Sequence, residues 1–135
     1  MGDRANVKVL DDCRKEGEEK PAVFLYTHWS GTELAETVQR ALQRRVRWDD
    51  SPYLARIIFC AMVEGQEAEE TGFGISTDLR DNEHRIIVVD PQSQRLTIEP
   101  EDADRDDAPL ASFTFEEFCA LDSAALARAY GLGDG

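Results

Sequence analysis

The stretch LYTHWSGTELAETV, residues 25–38, changes its hydrophobic period within a few residues. Ala22–Thr27 is a nearly continuous apolar run, the pattern of a buried strand. Ser30 and Glu33 are spaced as a capping box, and Trp29 and Leu34 as a hydrophobic staple around it. Leu34, Val38, Ala41 and Leu42 then form one helical stripe, with Val46 extending it. The backbone is therefore expected to pass from a strand straight into a helix, with His28 and Trp29 at the junction. Such a corner presents unpaired N–H groups at the positive end of a helix dipole, which suits an anion. Thr27, His28, Ser30 and Thr32 add donors, Trp29 offers a stacking face, and Arg4 is the cation that can join them. Arg4, Thr27, His28, Trp29, Ser30, Gly31 and Thr32 form the candidate ligand site. Gly31 alone makes neither a Walker loop nor a dinucleotide fingerprint.

Working outward, Asn6–Leu10 reads as a first strand, joined to the second by the polar loop 11–20. The short loop makes the two antiparallel neighbours. A second helix starts at Ser51-Pro52, with Ser as cap and Pro in the first turn. Leu54, Ile57, Ile58 and Met62 form its stripe, and Gly65 ends it. GFGIST, residues 72–77, is a strand, as is IIVV within Arg85–Asp90. A turn at Pro91–Gln94 leads to a return strand, Leu96–Glu99. Thr114 and Glu117 repeat the capping-box spacing before Phe115, Phe118 and Leu121, and a last helix, Ser123–Tyr130, stops at Gly131. The order β-β-α-α-β-β-β-α-α gives an α+β fold in a single domain spanning 1–135. Its mostly antiparallel sheet has about five strands, with two central helices on one face and short C-terminal helices.

The 135 residues carry 28 Asp and Glu against 15 Lys and Arg, a net charge of −13. That balance argues against direct nucleic-acid binding and against adhesion to anionic membranes. It suits solubility or a basic partner. The acid is concentrated at 11–19, 64–70 and the surface loop 99–110. If these converge, they form a face that mimics nucleic acid. Three cysteines, Cys13, Cys60 and Cys119, show no disulfide or zinc spacing, as expected of reduced thiols in the cytoplasm. Cys60 and Cys119 read as small core residues, and Cys13 as an exposed loop thiol. No apolar run is long enough to span a membrane, the polar start is not a signal peptide, and Asn6 stands where myristoylation wants Ser or Thr.

Other chemistry-bearing residues have ordinary readings. Arg40, Arg44, Arg45, Arg47 and Arg56 offset the negative end of the first helix and pair with Glu36, Asp49 and Asp50. Asp49-Asp50 is a helix-start feature. His84 lies in a polar turn and is expected to be exposed. No metal site, cofactor or catalytic constellation is read, and the oligomeric state is not legible.

MGDRANVKV, YTHWSGTELAETVQRAL, SPYLARIIFCAMV, GFGIST and IIVVD together resemble a family of short uncharacterised bacterial and phage proteins. These open Met-Gly-(Asn/Asp)-Arg-Ala and carry His-Trp before the first helix. The resemblance covers the first two thirds of the chain. It brings no activity with it and implies a phage or mobile-element setting. It also draws attention to Gly2, Asp3, Arg4 and Asn6. The expected function is a non-enzymatic acidic binding protein that sequesters or inhibits a host component, such as a defence protein. One alternative is an anionic-ligand or nucleotide-binding domain at residues 27–32. A weaker one is a small enzyme using His28 with Asp3 or Arg4. A hydroxyl or thiol within about 3 Å of a histidine in a pocket would favour the enzyme.

Overall fold

A computed structural model describes residues 2–11, 21–101 and 109–132. Strands β1 (Ala5–Leu10), β2 (Ala22–Thr27), β3 (Phe73–Ser76), β4 (Ile86–Asp90), β5 (Arg95–Glu99) and β6 (Ala111–Thr114) form one sheet in the order β3-β2-β1-β4-β5-β6. All neighbours are antiparallel except β1 and β4, which run parallel. The α+β class and the largely antiparallel sheet agree with the sequence reading. Among the described residues the sheet has six strands rather than about five, because the short segment ASFT, which ends in the Thr114 cap, pairs with β5 as an edge strand.

The register fixes which side chains meet the helices. Val7 pairs with Leu25 and Ile87, Val9 with Val23 and Val89, and Leu96 and Ile98 continue the row through β5. Because side chains alternate along a strand, these residues share one face. They form a single buried cluster with Leu34, Val38 and Leu42 of α1 (Leu34–Leu42), Leu54 and Ile58 of α2 (Ser51–Val63), Phe115 and Phe118 of α3 (Phe115–Cys119), and Leu126 and Tyr130 of α4 (Ser123–Tyr130). The other face carries Asn6, Lys8, Phe24, Tyr26 and Gly74.

Several local expectations are corrected. A 3-10 turn, Gly31–Glu33, precedes α1, and Ser30 makes no side-chain capping bond. The Trp29–Leu34 staple is not made: Trp29 is 53% exposed and lies against Gly72, while Leu34 points into the core. α1 ends at Leu42, so Val46 is exposed. Asp50 rather than Ser51 caps α2; its carboxylate accepts from the Tyr53 N–H, and Ser51 Oγ donates to Leu10 O at 2.5 Å. Cys60 is exposed, whereas Cys119 is buried and its thiol is pushed up by burial. The Thr114–Glu117 capping box forms as read, and Gly131 takes the left-handed cap after α4. Cys13 and most of the acidic residues of 11–19 and 102–107 lie outside the described residues. No helix among the described residues is long and apolar enough to cross a membrane.

Candidate functional site

The strand-to-helix corner is built by three chain segments far apart in sequence. Asp3 N–H donates to His28 O at 2.7 Å, and Gly31 N–H donates to Asp3 O at 2.8 Å. The Thr32 N–H donates to the Asp3 carboxylate at 2.8 Å, across 29 residues of chain. The first free N–H groups of the helical segment are thus met by a carboxylate and a carbonyl of the same chain. His84 Nε2 lies 2.5 Å from the other Asp3 carboxylate oxygen. Burial raises the Asp3 carboxyl, but the Thr32 and His84 hydrogen bonds outweigh it, and the group is held below its ordinary value.

His84 in turn stacks on Tyr130, with ring centroids 5.3 Å apart and planes inclined by 11°. The Tyr130 hydroxyl donates to Gly31 O at 2.8 Å. Burial, with a smaller contribution from the Asp3 charge, pushes this phenol up and keeps it a donor. Gly31 is enclosed: a Cβ there would stand 2.6 Å from Asp3 O and 2.8 Å from the His84 ring. His84 is therefore half-buried at the corner, against the expectation of exposure. Thr27 is buried, and its hydroxyl oxygen accepts from the Ser30 N–H at 3.1 Å.

A second group of contacts lies on the sheet face away from the helices. His28 Nδ1 faces the Tyr26 hydroxyl at 3.0 Å and Arg4 Nε at 3.3 Å. Because Arg Nε–H can only donate, Nδ1 holds the lone pair; this assigns the imidazole proton to Nε2 and makes the Tyr26 hydroxyl a donor. Trp29 packs edge-on against His28, with centroids 5.2 Å apart. The segment 80–84 is fastened to the start of β1. Asn6, fully buried, donates to Arg80 O at 3.2 Å and to Asn82 Oδ1 at 3.3 Å, and accepts from Arg80 N–H at 3.3 Å. Arg4 N–H donates to the Glu83 carboxylate at 3.0 Å, and Glu83 N–H returns a bond to Arg4 O at 2.9 Å.

Beside this network lies an open groove of about 530 Å³, lined by Tyr26, Gly74, Ile75, Ser76, Leu79, Arg80 and Asp81. Tyr26 is the link between groove and network. Arg4, His28 and the helix start do not line the groove. The corner thus gathers Arg4, Thr27, His28, Trp29, Ser30 and Gly31 in one neighbourhood, with the Thr32 N–H turned to Asp3.

Sequence reading did not find Tyr26, His84, Tyr130 or the groove, and it gave Asp3 no role at the helix start. No local spacing signals them, because each acts across the sheet. Comparison with protein-family models, curated proteins and solved structures returns no match.

The arginines divide in two. Arg45 pairs with Glu116 and stacks over Trp48, and Arg47 lies 3.8 Å from Asp50 and over Tyr53. Among the described residues Arg40, Arg44 and Arg56 make no ion pair, and Arg40 and Arg44 border a shallow cleft between α1 and α2.

Proposed function

We propose that this chain is a non-enzymatic acidic binding protein that works in the cytoplasm and sequesters a basic protein of the host, a defence component being the class favoured. The observation that supports it is the surface around β3. Residues 64–83 hold Glu64, Glu67, Glu69, Glu70, Asp78, Asp81 and Glu83 against the single cation Arg80. Within that acidic run, Ile75 is 62% and Leu79 37% exposed, and Trp29 rests on Gly72. Exposed apolar side chains within a segment whose charges are mostly acidic are what a complementary protein surface recognises. The likeness of the opening residues and the His28-Trp29 pair to phage proteins supports the mobile-element setting.

The anionic-ligand alternative loses support at residues 27–32, because Asp3 already occupies the N–H groups that an incoming anion would use. The enzyme alternative keeps one observation, the Tyr26 hydroxyl 3.0 Å from His28 Nδ1 beside a groove, although the same lone pair also serves Arg4.

The test is quantitative affinity capture from host extract with the wild type and with the Ile75→Asp, Leu79→Asp double variant. The expected result is a basic protein enriched on the wild type, lost on the variant and released as salt rises. Recovery of the same proteins on both baits, or of none, would remove the reading.

A further inference from the structure

Among the described residues β3 is an edge strand: its backbone pairs with β2 on one side only. Soluble proteins usually blunt such an edge with a charge, a proline or a bulge. Phe73-Gly74-Ile75-Ser76 has no charge and no proline, and its outermost large side chain, Ile75, is 62% exposed. Gly74 stands opposite Tyr26 in the ladder. An aromatic residue in that position ordinarily folds over the glycine and closes the gap. Here the Tyr26 hydroxyl is held by His28, and a Cβ built on Gly74 meets no atom within 4 Å. The groove is therefore open space beside the strand, with Arg80 Nε and the Asp78 N–H donating to Ser76 Oγ at the strand's end. Leu79 forms part of its wall, with Arg80 and Asp81 close by.

We infer that an extended basic segment of the partner adds to the sheet as a strand along β3, with one of its side chains seated in the groove over Gly74. This rests on the proposed function above and specifies how that partner binds. Main-chain hydrogen bonds to an open edge supply affinity without sequence demands, while alternate side chains meet the surface beside the edge and give selectivity. A long side chain suits the groove, its aliphatic stem along Tyr26 and Leu79; the Asp81 carboxylate there is 80% exposed and lies 3.9 Å from Arg4 Nη1, and Arg80 Nε donates to Ser76 Oγ at 3.0 Å. Charge complementarity selects this occupant over a second copy of the chain. Two copies of a chain of net charge −13 repel each other.

The experiment titrates the full chain with a short alternating Lys-Val peptide and with a Glu-Val control, and follows amide hydrogen exchange of Phe73–Ser76. Expected are binding of the Lys-Val peptide alone, slowed exchange in β3, and weakening by about tenfold or more in Gly74→Leu, a factor equivalent to about 1.4 kcal/mol. The space above Gly74 and its ordinary backbone conformation allow that substitution without disturbing the fold. Binding that leaves β3 exchange and the Gly74→Leu variant unchanged would overturn strand addition and leave the basic-partner reading standing. Absence of Lys-Val binding, or slowed β3 exchange that appears with protein concentration alone, would also overturn it; the capture experiment judges the wider reading separately.

Discussion

Asp3 is the residue on which the corner turns. Its carbonyl and carboxylate cap Gly31 and Thr32, and His84 fixes the carboxylate from the other side. Asp3→Ala should cost about 1–2 kcal/mol, the scale of a lost helix cap, read from urea unfolding. The pH dependence follows from the depressed carboxyl. The unfolded chain takes up the proton first, so the stabilisation is complete above the ordinary value of 3.8 and is lost as pH falls through the lower folded value. The stability gap between wild type and Asp3→Asn should therefore hold from neutrality down toward that range and close below it. Gly31→Ala should cost about 1–3 kcal/mol, because its methyl group must displace the Asp3 backbone or the His84 ring. Gly72 has a different requirement: at φ of 100° it holds a conformation that other residues avoid, with the Trp29 ring against it.

At the scale of elements, the helices are tied together by side chains that replace missing backbone partners. Gln39 Nε2 donates to Phe118 O at 3.0 Å and Leu121 O at 2.9 Å, and Gln43 Nε2 donates to Cys119 O at 3.0 Å. α1 thus caps the open carbonyl end of α3, which has only five residues and cannot hold itself. Gln39→Leu should keep the packing area and lose both bonds, lowering stability by about 1–3 kcal/mol in thermal or urea unfolding. Periodicity in the sequence identified α1, α2, α4 and five of the strands because each carries enough apolar residues to show a face. It did not identify β6, whose four residues adjoin a strong helix cap, or the 3-10 turn, whose first N–H groups are met by Asp3 in the segment ahead of β1. The Ser30–Glu33 spacing was satisfied in sequence and idle in structure, since the Thr32 N–H goes to the Asp3 carboxylate and the Glu33 N–H to the Ser30 carbonyl.

For the molecule as a whole, a net charge of −13 bears on stability and, under the proposed function, on the sign of the partner. Self-repulsion opposes the compact state, so added monovalent salt should raise the melting temperature, while the same salt weakens capture of a basic partner. Opposite responses of folding and binding in one titration would be the expected signature. Composition carries the proposed basic partner. It did not reveal the proposed site, because the open glycine and the anchored Tyr26 come together with Leu79 only through the β2–β3 register and the fastening of 80–84 to Asn6, while Ile75, opposite Leu25, stands on the other face of the same edge. The most direct measurement places a photo-crosslinking residue at position 79, and in a control at the exposed Tyr53 on α2, and identifies adducts formed in host cells. A basic protein joined from position 79 and not from position 53 is the predicted result. No adduct at 79, or the same adducts from both positions, would contradict it.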